Sequence, residues 1–219
     1  MKKNDVIITG DGSKTLFSEQ SNEHYHSVFG AIQESVHIFI KAGLDAVPGL
    51  TNPVHILEIG FGTGLNALLS YQWAEKDQIS VVYEGIEAFP VEPDKVMLLN
   101  YPDILDIDDS IYLEMHRGGE NKKLGSFFEF SLKQEKFENA QFDREKYDVV
   151  FFDAFSPESQ PEMWTSEGFQ KLYFALKRGG VLTTYSCKGS VKRLLKGCGF
   201  QIEKIPGPPG KREFLRAVK

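Results

Sequence analysis

The run His55-Ile56-Leu57-Glu58-Ile59-Gly60-Phe61-Gly62-Thr63-Gly64-Leu65-Asn66 constrains the fold more than any other part of the chain. Val54, Ile56, Leu57 and Ile59 read as a buried strand, and Leu65 to Trp73 read as a helix. Between them, three glycines fall at every second position. Glycine permits a tight turn and lets a ligand approach the backbone closely. The first turn of the following helix leaves N–H groups unpaired, available to an anionic group. Strand, glycine turn and helix in this order form a cradle for a nucleotide or a nucleotide-like cofactor. A dinucleotide fingerprint needs G-x-G-x-x-G, and here Leu65 stands where the third glycine would fall.

Around this unit, strands and helices alternate, the pattern of a doubly wound α/β sheet. Ile79 to Ile86 is a second strand ending in Glu87, about 25 positions past the glycines, where a carboxylate normally holds a ribose diol. Tyr147 to Phe152 is a near-continuous apolar run, a strand buried on both faces. It ends in Asp153-Ala154-Phe155-Ser156-Pro157. A helix over Ser166–Lys177 stopped by Arg178-Gly179-Gly180, a strand over Val181–Ser186 and a helix over Ser190–Lys196 follow. Phe200–Lys204 and Glu213–Val218 read as an antiparallel closing pair. Val91–Leu99 reads as a short helix and Ile104–Leu113 as a strand or irregular stretch. The turn Gly118-Gly119-Glu120-Asn121 suggests a hairpin between Ile111–Met115 and Phe127–Leu132. At the start, Asp11-Gly12 is a hairpin turn between Val6–Thr9 and Thr15–Phe17. Ser27 is placed to cap a helix reaching about Ala42, with Val28, Ile32, Val36 and Ile40 on one stripe. Pro48-Gly49 divides a hairpin-helix extension (residues 1–50) from the main domain (51–219).

A net charge of −6 argues against a simple basic nucleic-acid binder. Yet residues 177–219 hold eleven Lys+Arg and two acidic residues, leaving the remainder strongly acidic. Such asymmetry fits an electrostatic footprint for a polyanion or an ordinary solvated face. No stretch approaches the roughly 18 apolar residues of a membrane helix. Met1-Lys2-Lys3-Asn4-Asp5 leads into a polar turn rather than a signal-peptide core. Cys187 and Cys198 have no metal-ligand spacing, so cytoplasmic thiols with no required disulfide are expected, and no metal.

Glu58-x-Gly60-x-Gly62-x-Gly64 resembles the first motif of class I S-adenosylmethionine (SAM) methyltransferases. That resemblance implies a Rossmann-like, mostly parallel sheet with a C-terminal antiparallel hairpin. It implies cofactor contacts from Glu58, Gly60, Phe61, Gly62, Thr63, Gly64 and Asn66, with Glu87 on the ribose. Asp153-Ala154-Phe155 resembles the motif of methyltransferases acting on exocyclic nitrogens of bases. Asp153 would then border both donor and acceptor, as catalytic residue and cofactor neighbour.

Pro161-Glu162-Met163-Trp164 and Gly210-Lys211-Arg212-Glu213 extend the likeness to the methyltransferase domain of the MnmC tRNA-modification family. Asp11-Gly12-Ser13-x-Thr15-Leu16, Glu23-x-Tyr25-His26-Ser27 and Gly30-Ala31-x-x-Glu34-Ser35 are similar to its stand-alone, MnmD-like form. The match runs in order along nearly the whole chain. It implies SAM-dependent methylation of the aminomethyl nitrogen of 5-aminomethyl-2-thiouridine at the tRNA wobble position, giving 5-methylaminomethyl-2-thiouridine. The implied partners are the anticodon stem-loop and, since the 219 residues carry no flavin-dependent oxidase half, a separate oxidase. The family usually carries Gly-Asp near Lys133-Gln134; here Gln134, or Glu135 beside it, is left to contact adenine. Phe155 and Trp164 are candidates to stack on a flipped-out uracil, and Trp164 suits core packing equally. Tyr25 and His26 are candidates to line the pocket, with His26 also readable as a structural histidine. Lys188, Lys211 and Arg212, with Lys192, Arg193, Lys196 and Arg216, are candidates for phosphates. An aminopropyltransferase, a small-molecule N-methyltransferase, a nicotinamide-dependent oxidoreductase and a non-catalytic RNA-binding module remain open at this point.

Overall fold

In the computed structural model, which describes residues 6–219, the two apolar runs singled out above lie side by side at the centre of one sheet. Residues 1–5, the polar lead-in, fall outside the described residues. The amino-terminal segment forms β1 (Val6–Ile8), β2 (Lys14–Ser18) and β3 (Glu23–His24), an antiparallel three-stranded sheet. The β1–β2 hairpin is the expected one, whereas β3 has no counterpart in the sequence reading. The following helix α1 (Ala31–Ser35) continues as a π-helical segment over Val36–Lys41. Ser27 does not cap it. The hairpin does: Asp11 Oδ2 accepts from the Gln33 N–H at 2.8 Å, and Thr9 Oγ1 from the Ala31 N–H at 3.3 Å. The helix therefore starts later than the stripe implied, and Val28 is exposed ahead of it.

The main sheet contains β4 (Val54–Ile59), β5 (Val81–Ile86), β6 (Gly119–Lys123), β7 (Phe128–Lys133) and β8 (Tyr147–Phe152). It is completed by β9 (Leu176–Thr184), β10 (Gln201–Pro206) and β11 (Glu213–Val218). The order is β10-β11-β9-β8-β4-β5-β7-β6. Strands β7, β5, β4, β8 and β9 are parallel; β6, β10 and β11 join through antiparallel pairings. The chain leaves β4 toward β7 on one side and returns to β8 on the other. Strands β4 and β8 therefore meet at the topological switch point, where open α/β sheets bind ligands beyond the carboxyl ends of their strands.

Helices pack on the sheet: α2 (Leu65–Asp77), α3 (Pro93–Val96), α4 (Tyr101–Leu105), α5 (Asp109–His116), α6 (Ser166–Ala175) and α7 (Gly189–Gly197). Residues 104–113, read as strand or irregular, belong mainly to α4 and α5. The cause is local: Asp108 caps α5 by accepting from the Ser110 N–H at 2.8 Å. The first arm of the β6–β7 hairpin is consequently Gly119–Lys123 rather than Ile111–Met115. Strand β9 also starts before Gly179-Gly180, pairing Tyr147 with Leu176 and resuming at Val149 and Val181. Among the described residues no helix is long and apolar enough to cross a membrane.

Candidate active site

The glycine turn exists because three residues adopt positive φ: Gly60 (+86°), Gly62 (+51°) and Gly64 (+73°). A Cβ on Gly60 would lie 2.7 Å from the Asp153 carbonyl oxygen, and one on Gly62 would lie 3.1 Å from the Tyr25 ring. The first approach brings the β4 and β8 tips together, where the Asp153 N–H donates to the Ile59 carbonyl at 2.9 Å, and the second seats the turn against the amino-terminal segment. Beyond them opens a cavity of about 820 Å³ lined by Gly60, Gly62, Glu87, Asp153, Phe155 and Tyr25, among others. Glu87 anchors the turn from β5. Its Oε2 accepts from the Gly62 N–H at 2.9 Å and its Oε1 from the Phe89 N–H at 2.8 Å.

Asp153 stands on the wall of this cavity. Burial pushes its pKa up to about 7; Glu34 acts in the same direction, while the Asn66 hydrogen bond and Lys211 oppose it. Asn66 Nδ2 donates to Asp153 Oδ2 at 2.8 Å and to Glu58 Oε1 at 2.9 Å. Tyr83 donates its hydroxyl to Glu58 Oε2 at 2.7 Å. Opposite the glycines, the amino-terminal segment closes the cavity. Tyr25 meets Phe155 edge to face, with ring centroids 5.0 Å apart. Burial raises the Tyr25 hydroxyl to about 12, assisted by the Glu87 charge. His26 lines the cavity and its Nε2 lies 2.6 Å from Thr63 Oγ1. Burial lowers the His26 pKa to about 4, with Lys211 contributing in the same direction, so its imidazole is neutral near pH 7.

Several expected site residues sit elsewhere. Glu58 and Asn66 are buried behind the cavity wall rather than on it. Phe61 packs beneath the turn against His116 and Phe130. Thr63 is buried, its carbonyl accepting from Tyr112, and Gly64 starts α2 behind the cavity. Gln134 is not on the wall, whereas Glu135 is. Trp164 is a packing residue: it meets Phe152 at 4.9 Å between centroids, and its indole N–H donates to the Phe155 carbonyl at 2.8 Å. It supports the loop that carries Phe155 and presents no face to the cavity.

The basic residues also divide. Lys211 lines the cavity, 2.7 Å from Glu34 and 4.3 Å over the Tyr185 ring, instead of standing on an outer face. Lys188 pairs with Glu158, and Arg212 is exposed. Glu23, Glu34 and Tyr185, given no role above, also line the wall. Glu23 accepts from the Ser156 N–H at 3.1 Å and from the Ser159 hydroxyl at 2.7 Å, latching the loop after Asp153 onto β3. Tyr185 donates to the Ala154 carbonyl at 3.0 Å. The only signal for Glu23 and Glu34 was their place beside Tyr25-His26-Ser27 and Gly30-Ala31.

SAM fits this arrangement: Gly60 and Gly62 present a turn without side chains to the cavity, and Glu87 presents a carboxylate at its wall. The family described as S-adenosyl-L-methionine-dependent methyltransferase matches residues 131–219. Fold and site together define a class I SAM-dependent methyltransferase, an enzyme whose cofactor is SAM. The chain is 32% identical over 225 residues to the tRNA 5-methylaminomethyl-2-thiouridine biosynthesis bifunctional protein MnmC of Leptospira interrogans, covering 95% of this chain and 34% of that one. It is 28% identical to an uncharacterized protein of Methanocaldococcus jannaschii, covering 100% of this chain and 61% of that one. The crystal structure of MnmC2 from Aquifex aeolicus superposes with a TM-score of 0.77 at 26% identity, covering 98% of this chain and 70% of that one. Nearly the whole of the chain is thus similar to a part of the MnmC proteins. It spans about a third of the length of the Leptospira interrogans bifunctional relative.

Proposed function

We propose that this enzyme methylates the aminomethyl nitrogen of 5-aminomethyl-2-thiouridine at the tRNA wobble position, yielding 5-methylaminomethyl-2-thiouridine in the cytoplasm. The observation that carries the reading is Asp153 on the wall of the glycine-turn cavity, flanked by the Tyr25 and Phe155 rings. Gly60, Gly62 and Glu87 would hold SAM, which supplies an electrophilic methyl group on a sulfonium.

An alkylamine near the lysine reference pKa of about 10.4 costs about 4–5 kcal/mol to deprotonate at pH 7. A partly enclosed cavity favours the neutral amine, and so does the Lys211 ammonium. The Asp153 carboxylate accepts an amine N–H and so aims the nitrogen lone pair. As positive charge grows on that nitrogen, the same carboxylate stabilises it. The transfer leaves a secondary ammonium, and Asp153, with a pKa of about 7, is placed to accept one of its protons as the product leaves. Tyr25 and Phe155 offer an aromatic corner for the uracil, the usual way a splayed RNA base is held.

tRNA is the proposed partner, with a separate flavin-dependent oxidase supplying the aminomethyl group. Much of the basic carboxyl-terminal segment is already committed to ion pairs, including Lys177 with Asp148, Lys192 with Glu213 and Arg216 with Glu203. Arg193, Lys196 and Arg212 are exposed and form no ion pair among the described residues, which makes them the stronger candidates for phosphates. About three such contacts would lower tRNA affinity some thirtyfold between 50 and 200 mM salt. Methyl transfer from labelled SAM, followed across salt, tests this: label enters tRNA with a steeply salt-dependent KM, and Arg193→Ala with Lys196→Ala flattens the slope. A flat salt response, or label entering only a small amine, contradicts the reading.

A further inference from the structure

Asn66 and Glu58 form a buried pair that touches the site only at Asp153. Both are almost fully buried, and neither faces the cavity. The Asn66 amide nitrogen has two hydrogens, and two carboxylates receive them: Glu58 at 2.9 Å and Asp153 at 2.8 Å. Its Oδ1 is buried without a hydrogen-bond partner. Turning the amide over would press that oxygen against both carboxylates and leave their acceptors unfilled, so a single orientation survives. Glu58 enforces it, and is itself fixed by the Tyr83 hydroxyl at 2.7 Å.

We infer that Asn66, aimed by Glu58 and Tyr83, is a positioning residue that fixes the Asp153 carboxylate rather than a contact for the methyl donor. This deepens the proposed function and rests on the Asp153 role given there. The donor occupies Oδ2, leaving Oδ1 to face the acceptor. An amide is suited to the task because it donates without adding charge beside a carboxylate that must ionise. Burial holds Glu58 well above the ordinary carboxylate range, against the hydrogen bonds from Tyr83 and Asn66. That upward shift disfavours a second negative charge beside Asp153, while Glu58 Oε1 still accepts from Asn66 and aims it. The other charged or titratable groups acting on Asp153 are Glu34 from α1 and Lys211 from the loop between β10 and β11; Tyr185, after β9, and Tyr83, in β5, feel its charge in return.

The test follows the Asp153 side-chain carboxyl by NMR in carboxyl-labelled enzyme without tRNA, alongside turnover against pH. In Asn66→Ala the Asp153 titration moves alkaline by about one unit, the loss of one hydrogen bond to a carboxylate. Its kcat falls at least tenfold while SAM binding stays within about threefold. Glu58→Gln keeps an acceptor oxygen for Asn66, so it leaves both the titration and kcat near wild type. It also serves if the alanine variant fails to fold. An unmoved Asp153 titration in Asn66→Ala overturns the inference. So does a SAM affinity that falls as far as kcat, or a Glu58→Gln enzyme that loses turnover. If wild type transfers no methyl to tRNA, the proposed substrate fails, while the tRNA-free titration and SAM-binding measurements still decide the role of Asn66.

Discussion

Asp153→Ala binds SAM within a few-fold of wild type and transfers methyl groups about a hundred- to a thousandfold more slowly, the scale of losing one fixed electrostatic partner of a developing charge. SAM binding survives because the glycine turn and Glu87 hold their geometry through their own backbone contacts. Asp153→Asn separates charge from shape: its one carbonyl oxygen goes to Asn66 and its NH2 faces the amine, so it neither stabilises a cation nor takes a proton and stays slow. In wild type, kcat rises with pH through about 7 as Asp153 ionises.

The same shift has a consequence for stability with the opposite sense. The folded-state pKa lies above the unfolded value of 3.8, so the folded protein binds more protons between about pH 4 and 7. Stability from this group therefore declines as pH rises through that window, and the cost is complete above pH 7. Asp153→Asn removes it, so at pH 8 the slow variant melts a few degrees above wild type, measured by thermal denaturation across pH. A variant that melts no higher than wild type at pH 8 would mean that burial does not strain this carboxylate.

The second large effect concerns the cradle. Gly62→Val lowers SAM affinity about a hundredfold or more, measured by calorimetry. Two costs combine. A φ of +51° is unfavourable for a β-branched residue. Its Cβ would also stand 3.1 Å from the Tyr25 ring, on the cavity wall. Gly12→Ala provides the control, since Gly12 has φ +84° but a Cβ there would meet nothing within 4 Å. It costs about 1 kcal/mol of stability with no change in SAM affinity. Equal SAM binding by Gly62→Val and wild type would remove the glycine turn from the cofactor site.

The glycine turn and Asp153 were legible because each follows a strand written as an apolar run, and position along a strand fixes which end a residue occupies. What lay behind them was not legible. Glu58 and Asn66 belong to the same motif as the glycines, yet only the packing of α2 against β4 shows that they turn toward Asp153 rather than the cavity. Lys211 counted as one charge in a basic segment; its place beside Glu34 depends on two residues far apart in the chain meeting across the sheet. Trp164 carried an aromatic face that suits a base or a core, and the fit against Phe152 decides for the core. The misread stretch at residues 104–113 had its signal in Asp108, a helix cap whose meaning was masked by the neighbouring apolar residues.

The most direct test of the account is the mass of one nucleoside. tRNA bearing 5-aminomethyl-2-thiouridine, incubated with the enzyme and SAM and then digested, should lose that nucleoside and gain a species heavier by one methyl substitution, fragmenting as 5-methylaminomethyl-2-thiouridine. An unchanged wobble nucleoside, or the methyl group on any other nucleoside, contradicts it.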